Sequence, residues 1–192
     1  MTASQKATNA RRVGIVSLGC AKNLVDAEIM LGSLLQQGIE ITNDPASADA
    51  IIVNTCSFID AAQEESVDAI LESTALRDAD HRGQAVIVSG CMPQRFRDEL
   101  PKLMPEVDAF MGVDQVAQVA TIVDQAIAAR ARKIAEPAPK PARGKGRAVK
   151  AKLAELDAAN PAAAESEESL RGTDKHNRTR KVIIPLAAEA PT

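Results

Sequence analysis

Short apolar runs alternate along the chain with longer segments in which apolar residues recur at helical spacing. The clearest runs are Val13–Val16, Ala50–Val53 and Ala85–Ser89, and weaker ones lie at 39–42 and 107–111. The third run is apolar without alternation, as expected of a strand covered by helices on both faces. This alternation predicts repeated βαβ units, and therefore an α/β fold with a doubly wound, open parallel sheet.

A helix is predicted after each clear strand. Gly38 is expected to stop the first helix, and Asp60 is predicted to cap the second, which His81–Gly83 ends. Pro93 stands where the third helix is expected to begin, and Asp114 is predicted to cap the last one. The apolar positions are Leu24, Ile29, Leu31, Leu34 and Leu35 on the first helix, Val67, Ile70, Leu71 and Leu76 on the second, and Val116, Val119, Ile122, Val123 and Ile127 on the last.

The composition changes at Glu136. The segment 137–147 is rich in Pro, Gly and basic residues, which is typical of a linker. A short helix is predicted from Ala148 to Ala159, and the apolar run Lys181–Leu186 has no evident partner. The basic stretch Arg143–Arg147 could contact RNA, but it lacks the aromatic residues that stack on bases, which favours a solvated linker.

These patterns divide the chain into three parts. Residues 1–11 are predicted to be a polar arm, 12–132 an α/β domain, and 133–192 a mostly disordered linker and tail. Aromatic residues make up only 2% of the chain, so the core is expected to be aliphatic. The N-terminal stretch has no apolar signal region and no run is long enough to span a bilayer, so a cytoplasmic protein without a membrane partner is expected.

Three cysteines stand at near-equal intervals of about 35 residues, the length of one strand-helix-strand unit. Cys20, Cys56 and Cys91 each follow one of the three clearest strands. Because parallel strands end at the same edge of a sheet, the three thiols are expected to meet where open α/β sheets bind ligands. Gly19 and Gly90 directly precede two of them and allow the backbone to approach closely.

Three converging thiols are compatible with more than one kind of site. A [4Fe–4S] cluster is normally held by four cysteines, so three would leave one iron without a protein ligand. Three protein ligands and an open position are also the arrangement of catalytic zinc. In a third interpretation the cysteines bind no metal and only fill the core, since free cysteines are often buried as small hydrophobic residues. An odd number of cysteines in a compartment that keeps thiols reduced favours a metal site over disulfides. Ligation by sulfur alone, with no nearby His or carboxylate, favours iron–sulfur over zinc.

Other polar residues near the cysteines are candidates for a supporting role. Lys22, Asn23 and Asp26 could donate or accept hydrogen bonds around a cluster, or could equally be capping and solvated residues. His81 lies in a predicted turn and His176 in the predicted tail, so neither is expected to be a ligand. A nucleotide site is not expected, because no glycine-rich phosphate motif follows the first strand.

The segments around the cysteines resemble the N-terminal domain of the radical S-adenosylmethionine methylthiotransferase family. The resemblance covers about residues 12–132 and is carried by Ser17–Glu28, Val53–Ile59 and Val88–Met92. The sequence Gly-Cys-Ala-Lys-Asn-Leu-Val-Asp at Cys20, and Phe-Ile-Asp after Cys56, favour the RimO branch, which modifies an aspartate of a small-subunit ribosomal protein. The branch that modifies adenosine in tRNA usually has Gly-Cys-Gln-Met-Asn at the first cysteine.

The resemblance implies that Cys20, Cys56 and Cys91 ligate an auxiliary [4Fe–4S] cluster that serves as a sulfur donor platform. Family members bind S-adenosylmethionine in a second domain, at a cluster on Cys-x-x-x-Cys-x-x-Cys. The 192 residues contain no fourth cysteine, so the chain alone is expected to be incomplete and inactive. It is expected to be a fragment of an enzyme, a truncated or split gene product, or a half-enzyme whose radical domain is a separate chain. The implied substrate is a small-subunit ribosomal protein or the ribosome. The alternatives are the tRNA-modifying branch and a non-catalytic iron–sulfur or zinc module.

Overall fold

A parallel five-stranded sheet forms the centre of the computed structural model, which describes residues 11–135, 144–159 and the backbone of 182–183. The strands are β1 (Arg12–Ser17), β2 (Glu40–Ile41), β3 (Ala50–Thr55), β4 (Ala85–Gly90) and β5 (Ala109–Met111). They lie in the order β2-β1-β3-β4-β5. In this doubly wound order, the chain reverses direction across the sheet between β1 and β3. The predicted α/β fold is confirmed.

Helices cover both faces of the sheet. They are α1 (Ala21–Gln36), α2 (Asp60–Asp80), α3 (Cys91–Arg95), α4 (Leu100–Leu103), α5 (Val119–Ile134) and α6 (Lys145–Ala158). On one face α1 and α5 pack against the sheet, and on the other face α2 and α6 pack with the segment that contains α3 and α4.

Strands β3 and β4 are buried along their whole length. Ala50 and Ile52 of β3 contribute to the core beneath α1 and α5, while Ile51 and Val53 contribute to the core beneath α2 and α6. Successive side chains of a strand point to opposite faces, so a strand between two helical layers needs apolar residues at every position. The unbroken apolar runs in the sequence are thereby explained.

The buried faces of α1 and α2 differ in part from those predicted. In α1 the buried residues are Asn23, Ala27, Met30 and Leu34, whereas Leu24, Ile29 and Leu35 are exposed. In α2, Val67 and Ile70 are buried as predicted, but Leu76 is exposed and Arg77 is buried next to it. The polar residues Asn23 and Arg77 make tertiary hydrogen bonds that fix which side of each helix faces the sheet.

Two of the predicted helix ends also need correction. Ile59, not Asp60, precedes the first turn of α2, and Asp60 lies within that turn, where its negative charge favours the helix dipole. Asp114 lies in a 3₁₀ segment, Val113–Gln118, that leads into α5. The predicted stop at Gly38 is confirmed: its φ is +72°, and the amides of Gly38 and Ile39 bond the carbonyls of Leu35 and Leu34.

Pro93 occupies the third position of α3, since that helix begins at Cys91, directly after β4. A proline is tolerated there because the first amides of a helix have no intrahelical acceptor. The prediction of a helix start near Pro93 was therefore two residues late.

Within the segment predicted to be a disordered tail, residues 145–158 form α6, close to the short helix expected there. Val182–Ile183 forms a strand, β6, antiparallel to Val16–Ser17 of β1, so part of the run Lys181–Leu186 does have a partner. Residues 1–10, 136–143, 160–181 and 184–192 lie outside the described residues, and the disorder expected there stays a prediction. Among the helices of the described segments, none has the length and apolar character needed to cross a bilayer.

Candidate functional site

The three cysteines lie at the carboxyl edge of the sheet, where three neighbouring strands end. Cys20 is the residue before α1, Cys56 directly follows β3, and Cys91 directly follows β4 and opens α3. Since β1, β3 and β4 are adjacent and parallel, the three loops leave the sheet side by side. The fold thus brings Cys20, Cys56 and Cys91 to one place, as the spacing of the sequence predicts. Their role as ligands stays a prediction.

Gly19 allows the first two cysteine loops to approach closely. A Cβ atom at Gly19 would lie 2.4 Å from the Cβ of Cys56, which is too close for any side chain, and 3.0 Å from its Sγ. The φ of Gly19 is +90°, which also favours glycine. Gly90, at φ +100°, has the same role before Cys91, since a Cβ there would lie 2.4 Å from the carbonyl oxygen of Thr55.

The three thiols differ in exposure and influence one another. Cys20 is exposed, Cys56 is buried and Cys91 is half-buried. Burial raises the pKa of Cys56, and the nearby Cys20 thiol raises it further. Burial also raises the pKa of Cys91, as do Cys56 and Cys20, while the positive charge of Lys22 opposes the shift. In the metal-free chain, Cys56 and Cys91 are therefore neutral thiols near neutral pH.

Asn23 connects all three cysteine loops. Its side-chain nitrogen, fully buried in α1, donates hydrogen bonds to the carbonyl oxygens of Leu18 at 2.8 Å and Thr55 at 2.9 Å. Its side-chain oxygen lies 3.7 Å from the Sγ of Cys91, within the range of a weak S–H···O bond. Leu18 precedes Cys20 by two residues and Thr55 directly precedes Cys56, so a single amide holds the ends of β1 and β3 beside the third cysteine.

Two supporting residues were missed by the sequence analysis. The hydroxyl of Ser66 in α2 accepts a hydrogen bond from the amide of Cys56 at 3.1 Å. Its one proton can go to the carbonyl oxygen of Ala62 at 2.8 Å or to that of Cys56 at 2.9 Å. The side-chain nitrogen of Asn54 donates to the backbone oxygen of Asn23 at 2.8 Å. Both could have been found in the sequence as polar residues at positions of a helix or strand that face the core.

Lys22 and Asp26, the other candidates beside Cys20, form a pair with each other on α1. The Nζ of Lys22 lies 2.6 Å from a carboxylate oxygen of Asp26. This hydrogen bond raises the pKa of Lys22, so the side chain remains charged beside the thiols. Its contribution to the site is a positive potential, which favours thiolates and an anionic ligand.

The donors at this edge suit a group that prefers sulfur. They comprise three thiols, and the helix dipole of α1 adds a positive field that begins at Cys20. Along the described part of the chain, no group of three or more His, Cys, Asp or Glu side chains is placed so that it could hold a metal ion. His81, at the carboxyl end of α2, lies at the opposite edge of the sheet, and His176 lies outside the described residues.

Comparison with known proteins places these features in a family. Residues 12–112, just over half of the chain, match the uncharacterized protein family UPF0004. The chain is 57% identical over 113 residues to the ribosomal protein uS12 methylthiotransferase RimO of Trichlorobacter lovleyi. It is 52% identical over 115 residues to the protein of that name from Akkermansia muciniphila, and 53% identical over 118 residues to that from Pelobacter propionicus.

These matches cover 59–62% of this chain but only 25–26% of each relative, so the chain spans about a quarter of their length. The expected resemblance to an N-terminal methylthiotransferase domain is confirmed. The match includes all three cysteines and the strands that precede them. On the extent of that match, the chain belongs to the uncharacterized protein family UPF0004.

Proposed function

We propose that this chain is the cluster-bearing N-terminal part of a methylthiotransferase that acts on ribosomal protein uS12. Cys20, Cys56 and Cys91 would hold a [4Fe–4S] cluster. The observation that carries the proposal is that three thiols leave three adjacent parallel strands, with Gly19 and Gly90 allowing their loops to come together. Relatives that are named as uS12 methylthiotransferases support the choice of reaction and substrate.

The cysteines would bind as thiolates, because the thiolate is the ligand form of cysteine. Burial raises the pKa of Cys56 and Cys91, so binding would release their protons. The helix dipole of α1 and the charge of Lys22 would then compensate the negative charge at the site. When bound, the cluster would supply one iron without a protein thiolate, at which an exogenous sulfur can bind.

The remaining residues would keep this arrangement in place. Asn23 would hold the loops of Cys20 and Cys56 at a fixed separation, and Ser66 would hold the backbone of Cys56. The chain's own three cysteines are all used by this cluster, so S-adenosylmethionine would be bound and cleaved by a radical domain contributed from outside these residues. The aspartate as target, the ribosome as partner and the cytoplasm as location are parts of this proposal.

A chimera tests the proposal directly. Residues 12–132 of this chain would replace the corresponding region of the Trichlorobacter lovleyi relative, and uS12 and tRNA from cells that express the chimera would be analysed by mass spectrometry. The proposal predicts a methylthio group on an aspartate of uS12 and none on tRNA adenosine. The matched control is the chimera with Cys56→Ala, which should leave uS12 unmodified.

An iron-loaded chimera that modifies tRNA adenosine and leaves uS12 unmodified would contradict the proposed substrate. A chimera whose activity is unaffected by Cys56→Ala would contradict the proposed role of the cysteines.

A further inference from the structure

Helix α6 lies beyond the family-matched region 12–112 and yet reaches the cysteine loops. It packs lengthwise on α2, burying Val149 and Leu153 in the core on that face of the sheet. Its 14 residues correspond to about 21 Å, close to the length of a six-residue strand. The helix therefore extends from one edge of the sheet to the other.

Three ion pairs fix its position along that length. Lys145, at its start, pairs with Glu106, which lies just before β5, at the edge where the strands begin. Lys150 pairs with Asp68 in the middle of α2 at 2.8 Å. Asp157, near its end, pairs with Arg95 at the edge where the cysteines lie.

The pair of Asp157 with Arg95 is connected to the backbone beside Cys56. A carboxylate oxygen of Asp157 lies 2.8 Å from the Nε of Arg95, and the two side chains are partly exposed, at 17% and 28%. The Nη1 of Arg95 donates to the backbone oxygen of Ser57 at 2.9 Å. Ser57 directly follows Cys56, and Arg95 is the last residue of α3, the helix that Cys91 opens.

Arg95 thereby links the second and third cysteine loops, and Asp157 orients the guanidinium that makes the link. Water competes less for a partly exposed charged pair than for a fully exposed one, so the pair retains part of its strength. The guanidinium forms an ion pair with Asp157 at Nε while Nη1 donates a hydrogen bond to Ser57, whereas a lysine would have a single nitrogen for both contacts.

We propose that Asp157 and Arg95 are positioning residues of the thiol site, so that α6 is part of that site although it lies outside the family-matched residues. They act through the backbone of Ser57 on the position of Cys56. The inference deepens the proposed function and depends on it for the identity of the ligand. The contact chain from α6 to Cys56 can be tested in the metal-free protein.

The experiment uses the full chain with Asp157→Asn, Arg95→Gln and the double variant. In the metal-free protein, the alkylation rate of Cys56 is measured by mass spectrometry relative to that of the exposed Cys20 in the same molecule. Loss of the pair should raise this ratio by about threefold to tenfold, because local opening at Cys56 becomes easier. The double variant should equal Arg95→Gln, since Asp157 acts through Arg95.

Lys150→Gln is the matched control, because it removes an ion pair of α6 with Asp68 of α2, which neither Arg95 nor Ser57 shares. After anaerobic reconstitution, the midpoint potential of the bound cluster should shift in Asp157→Asn and stay unchanged in Lys150→Gln. Asp157→Glu, which keeps the carboxylate, should restore both readouts towards wild type.

An unchanged Cys56-to-Cys20 ratio in Asp157→Asn would overturn the inference, as would an equal rise in Lys150→Gln or an unshifted midpoint potential. Failure of the proposed function would have a different signature, namely a wild-type chain that binds no iron.

Discussion

The side-chain amide of Asn23 lies 2.9 Å from the carbonyl oxygen of Thr55, the residue before Cys56. The same nitrogen bonds the carbonyl oxygen of Leu18 at the end of β1. Strands β1 and β3 flank the point where the chain reverses direction across the sheet. The buried amide adds side-chain hydrogen bonds to a backbone pairing of β1 with β3 that already extends to the amide of Leu18 and the carbonyl oxygen of Asn54.

Replacing Asn23 by Ala should destabilise the protein by about 2–4 kcal/mol, because the carbonyl oxygens of Leu18 and Thr55 lose a buried donor. Urea unfolding of the metal-free chain measures this change. Gln36→Ala is the matched control, an exposed amide in the same helix, and should change the free energy of unfolding by less than about 0.5 kcal/mol. Similar values for the two variants would contradict the role assigned to Asn23.

Replacing a glycine at the site by alanine should destabilise the protein, whereas the same replacement at an exposed position of a helix should stabilise it. Gly90→Ala should cost at least about 2 kcal/mol, since the new Cβ meets the backbone of Thr55 and φ is positive. Gly32→Ala in α1 meets no atom within 4 Å and should stabilise the protein by about 0.5–1 kcal/mol. Thermal unfolding of both variants tests this contrast, and a tolerated Gly90→Ala would exclude the close approach described here.

The cysteine pKa values predict how the stability of the metal-free chain depends on pH. Burial raises the pKa of Cys56 and Cys91, so the folded state favours their neutral forms more than the unfolded state does. Their contribution is fully present below the unfolded thiol pKa of about 8.5 and is lost as the pH rises through the folded values. The free energy of unfolding should therefore fall as the pH rises above about 8.5.

Urea titrations across this range, on wild type and on the double variant Cys56→Ala/Cys91→Ala, isolate the effect of the thiols. The decline should be shallower in the double variant, whereas identical slopes would show that the two thiols do not contribute.

The opposite edge of the sheet contains a buried ionic network. This network should contribute to the free energy of unfolding without affecting the thiol site. Asp108 is fully buried, accepts from the amide of Val86 at 2.9 Å, and pairs with the buried Arg77 at 3.2 Å. Asp108→Ala should cost about 2–4 kcal/mol, because the amide of Val86 loses its buried acceptor and Arg77 loses one of its two carboxylate partners while it keeps Asp78. Asp114→Ala, which breaks an exposed pair with Arg97, should cost less than about 1 kcal/mol. Chemical unfolding of both variants provides the comparison.

The features that the sequence predicts well are those determined by local pattern. The apolar runs before Cys20, Cys56 and Cys91 predict parallel strands, and their order along the chain places the cysteines at one edge. Gly38 is recognisable as a helix stop because a positive φ there costs glycine little.

The features that the sequence does not predict depend on contacts between distant residues. Leu76 fits an apolar helical face better than Arg77 does, but Arg77 is buried because Asp108 and the backbone oxygen of Glu106 lie within its reach. Likewise, Asn23 takes the inward position in place of Leu24 because Leu18 and Thr55 offer it acceptors. The docking of α6 depends on only two buried apolar residues and on ion pairs with residues far away in the sequence.

The most direct measurement is the iron and sulfide content of the anaerobically reconstituted chain and of its single cysteine variants. A shared [4Fe–4S] cluster predicts about four irons per wild-type chain and loss of that cluster in Cys20→Ala, Cys56→Ala and Cys91→Ala alike. His81→Ala, which changes a possible ligand at the opposite edge, should keep the full iron content. A wild-type chain that binds one zinc ion in place of iron, or a Cys56→Ala chain that retains four irons, would contradict the shared cluster.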